Sequence, residues 1–422
     1  MKKKTKMLVL SAIALLVIAV SVVLIIISNK PKEEATFYTI DDVKDKMTSD
    51  ISKIQKGKYK NLICDDFSAS LEDIEGVYNI EIQNNNDYLK KSLVENLKIM
   101  DTTINRFFNE EFDKSFIEAE IYFDDEEGGS EHIGYNDLES ALSDSKYKDY
   151  HSRHNESMWL FGNNTSEGGY MVQIDDGLTN VWFSKYGLKE IESNDYNKGY
   201  LYLMGERQGE DFEVTLSDKS VKISELENKC LEYLNKDFIL PVPENISYEI
   251  GDAYTLKNGD KDAVCFLIRR VYKGIPFECG SNGASGEYND KVGHDHGLIY
   301  YADSNSPDTL MGFGKTDIKV NEIEKIDKIL DLNNAMKILS DRIGTNSTYN
   351  VKGAELIYRE EPAENNDSDS DCVKLTPKWK IVTLNQNDDK YTLFYVDAVT
   401  CEVTERFESV SYTHLTLPTT PY

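Results

Sequence analysis

Two histidines one residue apart, His294 and His296 in the stretch GHDHG, head the short roll of residues here that could do specific chemistry. On an extended segment they project to one face, so both imidazoles could reach a single zinc ion. His151 and His154, three apart, could add further ligands from a helix. That set would serve a metal-dependent hydrolase. Flanking glycines suit an exposed loop equally well, and neither an HExxH pattern nor a Cys/His cluster occurs. Asp367 to Asp371, DSDSD, resembles a calcium loop only by charge, because the Gly and Glu of an EF-hand are missing. Without a nucleophile elbow, phosphate loop or kinase-type motif, no catalytic residue and no cofactor is expected.

The six cysteines carry no CxxC, and their scattered spacing argues against a disulfide framework. Cys265 and Cys279 are the pair to watch. CFLIRRVYKGIPFEC reads as two strands folding about Tyr272 to Gly274, which could set them opposite each other. Two reduced, buried thiols are the alternative expectation. Cys64 and Cys230, in apolar strand and helix positions, are expected to stay reduced.

The elements that must position these residues begin with an anchor. Met7 to Ser28 contains no charged residue. At about 1.5 Å rise per residue it is roughly 33 Å long, enough for a hydrocarbon core of about 30 Å. Lys2, Lys3, Lys4 and Lys6 precede it, so the positive-inside bias places a stub of residues 1–6 in the cytoplasm and the rest outside. The expected partner is therefore the cell membrane, through residues 7–28. The formal charge of −28 would repel nucleic acid and anionic head groups. With 26 Tyr and 16 Phe, the remainder has ample material for folded cores.

Residues 29–57 read as a charged stalk whose middle could be helical, with Asp41 and Asp42 capping a run through Val43, Met47 and Ile51. An apolar stripe from Leu89 to Phe107 predicts a long helix over Asn84 to Glu110. Tyr170 to Leu188 is a hairpin about Asp176-Gly177. Ser224 and Glu227 form a capping box for a helix that buries Leu226, Cys230, Leu231 and Leu234. ISYEIGDAYTL and AVCFLIRRVY give a second hairpin about Asn258-Gly259, and Asp331 opens another helix. Helix followed by antiparallel strands recurs about three times, which predicts an α+β ectodomain of repeated helix-plus-sheet units. The expected division is residues 58–217 and 218–408.

The closing stretch, PKWKIVTL then YTLFYVDAVTCEVTE, resembles the closing hairpin of PepSY-type modules and of the membrane-anchored YycH/YycI-type regulators of Gram-positive bacteria. Trp379, Tyr395, Val396, Asp397, Ala398, Thr400, Glu402 and Val403 carry the match; Cys401 stands where the pattern has glycine, so the turn must accept a side chain there. The resemblance implies one N-terminal anchor, an extracytoplasmic regulatory or binding ectodomain, an envelope protein or peptide as ligand, and turn-stabilising roles for Asp397 and Thr400. It implies no catalysis. Trp379 and Tyr395 are both expected to pack onto the helix at 331–343. Residues 410–419, VSYTHLTLPT, resemble a translated sequencing-library adapter, so 409–422 are set aside from the fold.

Overall fold

Short runs rich in β-branched and aromatic residues, such as VCFLI and YTLFYV, recur along this chain, and the described residues are mostly strand. The computed structural model describes residues 35–65, 67–69, 71, 74–84, 117–123, 130–135, 156–165, 168–175, 178–184, 197–202, 213–236, 246–258, 261–278, 297–301, 303–304, 309–311, 318–343, 347–360, 372–387 and 391–407. Among them are 23 strands and three helices: α1 (Ile40–Lys56), α2 (Ile223–Lys236) and α3 (Leu332–Arg342). Among the described residues no helix is long and apolar enough to cross a membrane; residues 7–28 lie outside them. The Leu89–Phe107 stripe and the 409–422 tail lie outside them too.

The repeated helix-plus-sheet units are not what forms. An 11-stranded antiparallel sheet collects strands from Ile117–Phe123 through Thr309–Met311, and an 8-stranded sheet collects Leu62–Ile63 through Val403–Phe407. In the second, Val77–Asn84 pairs with both Ile318–Ile326 and Cys372–Asn385. Strands from both sides of residue 217 are thus interleaved in each sheet. The hairpin signals report neighbours correctly, at 175/178 and 258/261. They carry no information about which hairpin joins which, and those long-range pairings turn the apparent repeats into two shared sheets.

The helices lie where their local signals put them, two of them with shifted caps. Thr39, and not Asp41 or Asp42, caps α1, accepting from the Asp42 amide, and both aspartates sit in the first turn; Val43, Met47 and Ile54 face inward, while Ile51 is only half-buried. Far from standing apart as a stalk, α1 packs against α3. Asp331 caps α3 by accepting from the Asn334 amide at 2.8 Å. The α2 helix starts one residue before Ser224, placing that residue in the first turn rather than at the cap, while Leu226, Cys230 and Leu234 are buried as its stripe requires. Cys64 and Cys230 are both buried and in no disulfide, and burial pushes the Cys64 thiol up to about 12.

Cys265 is also in no disulfide, and its cross-strand neighbours are Tyr254 and Tyr300. The turn lies at Lys273 and Gly274, both with positive φ, and pairs Val271 with Pro276 and Tyr272 with Ile275. Cys279 lies outside the described residues.

The closing hairpin shows one half of its expected packing. Trp379 is fully buried and donates to the Leu330 carbonyl at 2.9 Å, just ahead of α3. Trp379 pairs with Val396, whereas Tyr395 pairs with Lys380. Directly opposed residues share a face and successive ones alternate, so Tyr395 points away from the helix side. At the following turn, Asp397 Oδ1 accepts from the amides of Val399 and Thr400 at 2.9 and 2.7 Å. Cys401 sits at φ 66°, a left-handed conformation that suits glycine. Cys401→Gly is expected to raise stability by up to about 1 kcal/mol, measured by chemical denaturation.

Candidate functional site

Charged residues inside apolar strands are the anomaly from which a site can be built. Arg269 follows directly on AVCFLI, Glu355 lies within GAELIY, and Lys380 within WKIVTL. Register gathers them. Glu355 is directly opposite Lys380 across the 8-stranded sheet. Arg269 comes from the other sheet, where Lys261–Tyr272 turns into Ile275–Pro276 and then bridges Phe277 to Tyr358. Chain connection and backbone pairing therefore hold the two sheets together at this junction.

The geometry there is that of a buried ionic network. Arg269 binds Glu355 with both guanidinium nitrogens, at 3.2 and 2.7 Å, and its Nε donates to Glu249 at 2.7 Å. Lys380 lies 3.5 Å from Glu355 and 3.7 Å from Glu278. Tyr395, on the face where register puts it, donates its hydroxyl to Glu278 Oε1 at 2.8 Å. Burial alone would raise the Glu355 pKa, but Arg269 and Lys380 outweigh it and hold the carboxyl below its ordinary value of 4.5. These groups are spent on one another, as in a structural fastening. Glu278 Oε2 is buried without a hydrogen-bond partner among the described residues.

A second location is open to solvent. A groove of about 830 Å³ lies beside the last strand, Val403–Phe407, with the C-terminal end of α3 as its far wall. Tyr349 and Phe394 form its floor, their rings edge-to-face at 5.2 Å. Glu402 and Glu405 border it on the strand side and Arg342 on the helix side. Among the described residues, Val403–Phe407 pairs only with Tyr391–Asp397, so it is a sheet edge. Asp397 donates to the Glu402 carbonyl at 2.8 Å, making that pair a hydrogen-bonded one. Antiparallel pairs alternate, so the backbone groups of Thr404 and Arg406 point inward, while those of Val403, Glu405 and Phe407 point outward.

No protein-family model and no curated protein matches this chain.

His151, His154, His294 and His296 all lie outside the described residues, as does the DSDSD stretch. Among the described residues no group of three or more His, Cys, Asp or Glu is arranged to hold a metal ion. Sequence reasoning missed both the ionic junction and the groove. Single charges within apolar strand runs were a visible signal for the first. Nothing local announces the second, because it forms between a helix end and an edge strand about 60 residues further on.

Proposed function

We propose that this chain is a membrane-anchored, extracytoplasmic binding ectodomain that acts through a protein or peptide ligand and not through catalysis. The observation that carries the reading is the groove. An aromatic-lined groove on the inner side of the last strand and outward backbone groups on its other side put apolar contact and hydrogen-bonding groups at one sheet edge, where extended chains are recognised. The lysines of the first six residues and the uncharged run 7–28 support placement on the outer face of a membrane.

Both parts can be tested on one preparation. The full chain, with a photocrosslinking residue in place of Ser347 in the groove, is expressed in a Gram-positive host. Protease added to intact cells is expected to remove residues beyond 28. Irradiation is expected to give a discrete adduct with an envelope component, and a groove-filling Val403→Trp change should abolish it. Protection from protease contradicts the location; an adduct pattern indifferent to Val403→Trp contradicts the binding site.

A further inference from the structure

We infer that the open edge beside the groove takes an extended basic peptide as an additional strand on Val403–Phe407, with a lysine or arginine opposite Glu405 and an apolar residue opposite Val403. This rests on the reading of the groove as a binding site and names the ligand class that fits it.

The backbone supplies the first half of the argument. Val403, Glu405 and Phe407 direct both N–H and C=O away from the sheet, spaced as an incoming strand requires. The side chains of Val403 and Glu405 share the face of Val396 and Phe394, the groove face, so a residue opposite each would stand on that face just outside the strand that walls the groove. Thr404 falls on the other face with Tyr395. The alternate residues of a bound strand thus meet Val403, then Glu405, an apolar position followed by an acidic one.

Charge selects the occupant. Glu405 is exposed on the groove face of the strand that an added strand abuts, and Arg342 stands across the groove from it. A second copy of this chain is a poor occupant. An antiparallel two-fold pairing that keeps faces matched and centres on this strand sets Glu405 against its own copy, and directly opposed like charges destabilise a sheet. A strand with Lys or Arg at that point gains an attractive cross-strand pair instead, within a protein whose net charge is −28.

The test uses full-length protein in detergent and a fluorescent eight-residue peptide repeating lysine-threonine-valine-threonine, which puts Lys and Val on one face. Fluorescence anisotropy is expected to show saturable binding that weakens with salt. Replacing the lysines by glutamate, or N-methylating alternate amides so that the peptide cannot pair, should abolish it. Glu405→Lys is expected to weaken binding about tenfold, by exchanging attraction for repulsion. Glu405→Pro, which removes one outward donor while leaving the inner ladder intact, is expected to weaken it severalfold. Circular dichroism melts matching those of the parent protein show that each variant is folded. Equal binding of the glutamate peptide, or binding indifferent to both Glu405 variants, overturns the inference. If the crosslinked adduct at residue 347 survives alongside that negative result, only the ligand class is wrong. Loss of both removes the binding site itself.

Discussion

Replacing Arg269 by methionine is expected to cost about 3–5 kcal/mol of folding stability, the range for leaving a buried charge without its partner. The side chain is 3% exposed and binds Glu355 through two nitrogens, from one sheet to the other. Methionine keeps the apolar stem but leaves Glu355 with only Lys380, at 3.5 Å, to offset its charge. The effect carries a pH signature. The folded-state pKa of Glu355 lies below 4.5, so its contribution is fully present above that pH and is lost as pH falls through the folded value. Denaturation of the parent protein between pH 7 and pH 3 should show that loss, and Arg269→Met should show less of it. Adding Glu355→Gln to the variant should restore part of the stability, because the stranded charge is then gone. A single variant as stable as the parent, or a strictly additive double variant, would show that the network is not coupled.

Trp379→Ala is the second large effect. The indole is fully buried and its N–H is bonded to the Leu330 carbonyl. Leu330 in turn donates to the Ala398 carbonyl at 2.9 Å, so the approach to α3 is fixed to the closing hairpin at both backbone groups of one residue. Removing the indole vacates a large core volume and strands the Leu330 carbonyl, for an expected loss of about 3–5 kcal/mol. Trp379→Phe keeps most of the packing and should lose much less. Urea denaturation reads both; equal losses would mean that the hydrogen bond, not the volume, dominates. Tyr395→Phe should not imitate either variant, since its hydroxyl serves Glu278 on the opposite face.

What the residues foretell is local, and what they hide is long-range. Asp331 announces its helix because a carboxylate before an apolar stripe has one inexpensive use, accepting from the first-turn amides. The hairpins at 175/178 and 258/261 are equally legible, because turn dipeptides between alternating runs permit little else. Period-two alternation also places Tyr395 once its partner is known. Without the register, Trp379 and Tyr395 look equivalent; a shift of one residue exchanges the faces, and Tyr395 joins the ionic junction instead of the helix. The same limit explains the fold class. Nothing in Val77–Asn84 states that its partners lie at Ile318–Ile326 and Cys372–Asn385, more than two hundred residues away. Two large sheets arise from such pairings, beside three helices among the described residues. Arg269, Glu355 and Lys380 are each conspicuous in the sequence, but only the sheet junction shows that they neutralise one another.

Residue-resolved hydrogen exchange on the last strand tests the central claim most directly. The open edge predicts an alternation: amides of Thr404 and Arg406, held in the ladder, exchange slowly, and those of Val403 and Glu405, directed outward, exchange fast. Addition of the lysine-valine peptide should slow Val403 and Glu405 while leaving Thr404 and Arg406 unchanged. Val403 and Glu405 amides as protected as their neighbours in the protein alone would mean that the edge is already occupied, contradicting the binding site.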